Sequence, residues 1–197
     1  ANRRSMKNIF VSDGSEGANG RLFRKLMLQV VVIAAIAHVA FASLFYLNHI
    51  SLLAEVNVAS VILYGLIFLM LKADVHHAVI WILVIGEIVG HAVLAVYLIG
   101  WGSGFHFYVM LISPVMMLSP IKKTSIKALV VLVMMTFYIF MDHGFRNEEP
   151  VFEVHFVVLD GLYYFNLCVV LLMMIFLTGV YYHLVTSSQK KLKEMAT

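Results

Sequence analysis

At 197 residues the chain is long enough for one domain, but 62% of it is hydrophobic and only 13% is charged, against roughly 25% charged in an ordinary globular protein. The charges are clumped, mean hydropathy is +0.93, and a water-soluble domain of this size has no means of burying so much apolar surface. A soluble enzyme is thereby excluded, and in a membrane chain the net charge of +3 and pI near 9.0 mark a cytoplasmic face rather than a nucleic-acid partner.

The chain opens with a polar, Gly/Ser-rich stretch, residues 1–20, that reads as disordered. No signal peptide is visible, because a basic cluster leads straight into a full-length apolar run. A bilayer core of about 30 Å takes roughly 20 residues of helix. On that measure spans are predicted at 27–47, 56–71, 78–99, 105–118, 128–141 and 156–182. The fourth and fifth are short and are expected to extend into their flanks. The apolar runs are continuous rather than alternating, which argues against an outer-membrane barrel. The single cysteine, Cys168, lies inside an apolar run and excludes a disulfide framework or a Cys-based metal site.

Charge alternates from loop to loop. Arg3, Arg4, Lys7, Arg21, Arg24 and Lys25 precede the first span, Lys72 follows the second, Lys122, Lys123 and Lys127 follow the fourth, and Lys190, Lys191 and Lys193 follow the sixth. On the opposite face Arg146 is the only basic residue, against Glu55, Asp142, Glu148, Glu149, Glu153 and Asp160. Short loops rich in Lys and Arg stay in the cytoplasm. The expected fold is therefore an all-α polytopic membrane protein, a bundle of six transmembrane helices with both termini cytoplasmic.

Ionisable residues inside a span cost roughly 2.5–3.5 kcal/mol each on insertion scales, so each one is a functional candidate. Glu87 lies near the middle of the third span and His91 one turn on, at the i, i+4 spacing that shares a helical face. The loop GWGSGFHFY, Gly100 to Tyr108, then places His106 near the outer end of the fourth span. Glu87, His91 and His106 are expected to converge in the outer half of the bundle, with Trp101 beside them as a ligand contact. Asp142, His143 and His155 lie at or beyond the same face, and Asp160 begins the sixth span there. A carboxylate with imidazoles suits zinc, copper or iron, so Glu87, His91, His106, Asp142, His143 and His155 form the candidate metal set. An organic ligand whose polar head meets the same groups is the other binding reading. In the plainer reading Glu87 and His91 bond each other, Tyr97 or Ser103, as polar groups in bundles do. His38 in the first span could join the set, but a lone span histidine more often bonds a neighbouring helix. His76, His77 and His183 fall on the cytoplasmic side, too far away.

The glycines and serine of the Gly100–Tyr108 loop suit a tight return between spans. Its aromatics Trp101, Phe105, Phe107 and Tyr108 are expected at the headgroup level. The paired methionines at 116–117, 134–135 and 173–174 read as packing rather than a copper path. At the far end, Val185, Ser188, Leu192 and Met195 follow a 3-4-3 spacing, the beginning of a parallel coiled coil, too short to be stable as a free tail.

The ending QKKLKEMAT resembles the helix that leads into the catalytic domain of bacterial diguanylate cyclases. Glu87 and His91 followed by GWGSGFHFY resemble the six-helix membrane-associated sensor domains, of the MASE type, found in those cyclases and in some bacterial adenylate cyclases. The resemblance covers about residues 21–197, and it implies a sensor domain at 21–183 and the start of a signalling helix at 184–197. It further implies a homodimer in the bacterial inner membrane that regulates cyclic di-GMP synthesis. The chain has no Gly-Gly-Asp/Glu-Glu-Phe signature and no P-loop, so catalysis is expected from an output domain beyond Thr197 and not from this chain.

The competing reading is a small transporter or channel with Glu87 and His91 as a proton or cation relay. No inverted repeat or matched broken helices accompany it. An intramembrane metal enzyme would need a fixed ligand set and a general base, whereas the histidines are scattered. A passive anchor leaves Glu87 without a role.

Overall fold

The computed structural model describes residues 18–73, 75, 77–119, 121 and 123–196, and among them every regular element is helical. The elements are α1 Ala18–Leu47, α2 Ser51–Lys72, α3 His77–Ile99, the 3₁₀ turns Trp101–Ser103 and Phe105–Leu111, α4 Ile112–Leu118, α5 Thr124–Phe145 and α6 Phe156–Ala196. Five of the helices are long and apolar enough to cross a membrane. In lipid, helices close all their backbone hydrogen bonds internally, and long apolar runs free of proline permit it. The chain is a multi-pass helical membrane protein.

The connection between α1 and α2 is short and specified locally. His49 takes a left-handed φ of 61°, the amide of Ile50 bonds the carbonyl of Phe45 at 2.9 Å, and the Asn48 amide side chain bonds the carbonyl of Leu44 at 2.8 Å. These bonds satisfy carbonyls that the end of α1 leaves over, and α2 folds back along α1 as a hairpin.

The fifth predicted span grows into its flanks as expected and becomes the 22-residue α5. The fourth does not: it remains 14 residues, Phe105–Leu118, half of them 3₁₀. A 3₁₀ turn rises about 2.0 Å per residue against 1.5 Å for α. The segment therefore reaches about 25 Å where an α-helix of that length reaches about 21 Å. Its lower end is capped by Lys127, whose Nζ donates to the carbonyls of Met117 and Ser119 at 2.8 and 2.9 Å.

The core is two apolar clusters. One holds Phe41, Phe45, Leu53, Ala95, Ile99, Phe105 and Met141, the other Met27, Val31, Ile67, Leu71, Val84 and Leu177. Between them lies the polar layer described below. Helix α6 runs for 41 residues, about 61 Å, twice the thickness of a bilayer core. Arg3, Arg4, Lys7, His76, Lys122, Thr197 and most of the 1–20 stretch lie outside the described residues, as do the side chains of His77, Ser188, Leu192 and Met195.

Candidate functional site

The polar layer is built on the buried face of α2. Residues Leu53, Ala54, Asn57, Ser60, Tyr64, Ile67 and Leu71 are buried there at 3-4 spacing, and Ser60 and Tyr64, one turn apart, point at α3. The Ser60 hydroxyl donates to Glu87 Oε1 at 2.9 Å and the Tyr64 hydroxyl to Glu87 Oε2 at 2.5 Å. From α1, His38 Nε2 lies 3.0 Å from Glu87 Oε1. The carboxylate, its side chain 5% exposed, is thus held by groups from two other helices.

The protonation of this pair follows from its neighbours. His38 Nδ1 sits 2.8 Å from the carbonyl of Ala34, and a carbonyl only accepts, so Nδ1 carries a hydrogen. The contact between Nε2 and Glu87 then contains one further proton, which belongs either to the imidazole or to the carboxyl group. In both states the pair is neutral as a whole, which removes most of the cost of a charge in a low-dielectric interior.

His91 is different. Its side chain is 8% exposed and its Nδ1 stands 3.9 Å from Glu87 Oε1, beyond hydrogen-bond reach. Neither ring nitrogen has a partner among the described residues. The ring packs edge-on to His38 at 5.0 Å and tilted to Phe105 at 5.6 Å. His38, Tyr64, Glu87 and His91 all face one cavity of about 120 Å³, whose remaining walls are apolar apart from Tyr108. Residues 27–41 of α1 form one side, and Val169 and Met173 of α6 close another.

His38, Glu87 and His91 each offer one ligand atom, all within 4.8 Å of one another. Ligands about 2.0–2.1 Å from a tetrahedral ion sit about 3.3 Å apart. His38 and Glu87 meet that spacing, and His91 would have to move in. An ion would also displace the proton between His38 and Glu87.

The other expected site residues lie apart from this group. His106 is 2% exposed and stacks on Trp101 with ring centroids 3.8 Å apart and planes 9° apart. Arg146 covers Trp101 at 6.0 Å and pairs with Asp142 at 2.5 Å. His143, His155 and Asp160 are exposed, and His155 packs on its neighbour Phe156. The 3₁₀ winding that begins at Phe105 turns His106 towards Trp101 and gives the place beside His91 to Phe105.

The Gly100–Tyr108 loop packs on the bundle, with Trp101, Phe107 and Tyr108 half-buried and Phe105 buried. Phe105 is 1% exposed in the core. Tyr108 donates to Asn166 Oδ1 at 3.0 Å, and Asn166 Nδ2 donates to the carbonyl of Ser103 at 2.9 Å. Gly104 has φ 77° and packs so closely on α6 that an added Cβ would stand 3.2 Å from Tyr163 Cα.

Ser60 and Tyr64 went unread in the sequence, although a polar pair at i, i+4 within an apolar span is the same signal that Glu87 and His91 give. His38 makes the bond to a neighbouring helix that is expected of a lone span histidine, to Glu87 of α3 at 3.0 Å, and that bond also brings it into the site. Neither a known protein family, nor a curated protein, nor a solved structure matches this chain.

Proposed function

We propose that this chain is the membrane receptor part of a signalling protein. In this reading it is a six-span bundle with both termini in the cytoplasm of a bacterial inner membrane, acting as a homodimer. A ligand bound in the cavity beside His38, Glu87 and His91 shifts α6, and residues 184–197 pass the shift to a cytoplasmic nucleotide cyclase. The chain itself catalyses nothing.

One observation carries the reading: the helix that leaves the bundle is also a wall of the cavity, through Val169 and Met173. A ligand there has contacts with α6 that depend on where α6 sits, and such differential contact is what shifts a two-state equilibrium. Supporting it, α6 exceeds the bilayer core by about 30 Å, and the near-spanning reach of Phe105–Leu118 favours six crossings. The alternation of Lys and Arg between loops favours cytoplasmic ends. A proton or cation relay has less to stand on, because Leu26, Ile67, Leu71, Ile80 and Leu177 form an apolar cluster on the side of the polar layer towards Lys72.

The test is a fusion of the chain at its C-terminal end to an intact diguanylate cyclase domain, with cyclic di-GMP as readout. Met173→Trp, which fills the cavity from α6 without touching the polar layer, is expected to change output by about fivefold or more, equivalent to roughly 1 kcal/mol of altered balance between states. Output indifferent to both Met173→Trp and Val169→Trp would sink the receptor reading.

A further inference from the structure

The geometry points to a neutral single-chain amphiphile as the occupant of the cavity: a lipid-soluble molecule with a hydroxyl or keto head on His91 and an aliphatic tail along α1. This deepens the receptor reading, on which it rests for its signalling consequence but not for its binding.

The head group follows from what is left over. Both oxygens of Glu87 are already bonded, by Ser60, Tyr64 and His38, and His38 is bonded through both nitrogens. His91 alone among the cavity residues is buried with two nitrogens unpartnered. A neutral imidazole has one donor and one acceptor, so a ketone or ester carbonyl can accept from it and a hydroxyl can serve it either way. A buried donor without a partner costs about as much as a lost hydrogen bond, and a head group in this place removes that cost. The head is neutral because the Glu87–His38 pair is balanced on its own. A carboxylate or ammonium would enter a low-dielectric site with no counter-charge, which is expensive.

The tail follows from the walls. The cavity of about 120 Å³ is roughly eight to twelve times the space that one water needs, far more than a bare ion requires. Its lining on α1 runs from Met27 to Phe41, about 21 Å of helix. At about 120 Å³ the cavity is somewhat smaller than the roughly 150 Å³ that holds one benzene, so it encloses the head group and the first few carbons, and the rest of the chain lies out through the mouth along α1. Ile33 on the cavity rim is 46% exposed, while Val169 and Met173 opposite are half-buried. The mouth therefore faces sideways between α1 and α6, into lipid. A molecule entering here partitions into the bilayer first. An ion would arrive from water and would have to cross the apolar clusters and break the hydrogen bonds on Glu87.

The experiment uses the full chain in phosphatidylcholine nanodiscs. The probe is a 1-dodecanol analogue carrying a diazirine in its chain and a terminal alkyne, beside the matching alkane analogue without the hydroxyl. Crosslinked peptides are mapped by mass spectrometry. The alcohol probe is expected to label residues 27–41 and 169–173 about fivefold or more over the alkane probe, competed by unlabelled 1-dodecanol. His91→Phe is expected to bring that ratio to about one. Ala37→Trp, which plugs the cavity and keeps every polar group, is expected to remove groove labelling by both probes, and it serves as the test if His91→Phe does not fold.

Equal labelling by the two probes in the parent chain would mean bulk lipid contact and would overturn the proposal. So would a preference that survives His91→Phe, or stoichiometric metal in the purified protein that His91→Phe removes. Binding is read here without an output domain. Labelling as expected with a silent fusion would remove the receptor reading alone, and a responsive fusion without labelling would remove this one alone.

Discussion

The Gly100–Tyr108 loop and the Glu87 layer both place polar groups inside an apolar bundle, and they differ in what remains unbonded. In the loop, Ser103, Tyr108 and Asn166 bond one another or the backbone, and the spare Nδ1 of His106 lies in no wall of the cavity. In the layer, both oxygens of Glu87 are bonded but neither nitrogen of His91 is, and His91 faces open space. A polar group that completes a network holds helices together. One left incomplete beside a cavity is available to something else. Proximity of histidines in the sequence does not separate the two cases, whereas hydrogen-bond accounting does.

That contrast is open to test by stability in detergent or nanodiscs, followed as thermal unfolding. The largest effect is expected at Gly104→Val, which forces a β-branched residue to φ 77° and sets its Cβ 3.2 Å from Tyr163 Cα, tighter than an ordinary contact. A loss of about 3 kcal/mol is expected, and wild-type stability would mean the loop is not locked to α6. Asn166→Leu should come next, at about 2 kcal/mol, because it leaves the Tyr108 hydroxyl and the Ser103 carbonyl without partners. Glu87→Gln keeps the shape but replaces an acceptor by a donor facing His38, Ser60 or Tyr64, and about 1 kcal/mol is expected. His91→Phe should do least to stability, within about 0.5 kcal/mol of the parent, since no hydrogen bond is lost. A cost there as large as that of Asn166→Leu would show that His91 is structural, and the two regions would then be alike.

Several features were legible before any fold was known. Glu87 and His91 stood out because an i, i+4 polar pair in an apolar run is costly wherever it lies. The glycines at 100 and 104 announced the return between spans, and both take positive φ. Less legible was the length of the fourth span, because a 3₁₀ winding leaves no compositional mark that separates it from a short α-helix. The packing of Trp101, Phe105 and Tyr108 on the bundle was hidden too. An aromatic at a span's end carries no mark of which neighbour it packs on, and only the fold shows α6 against the loop.

Composition, helical period and loop charge by themselves determined that this is a helical membrane chain and that Glu87 and His91 share a face. Those are local or additive properties, readable residue by residue. Tertiary structure alone decided that His38, Ser60 and Tyr64 close on Glu87 from two other helices, that His106 does not, and that α6 lines the same cavity. Contacts of that kind depend on the angle and depth at which helices pack. In lipid these are set by side-chain fit and hydrogen bonds across the interface rather than by any pattern along one strand of sequence.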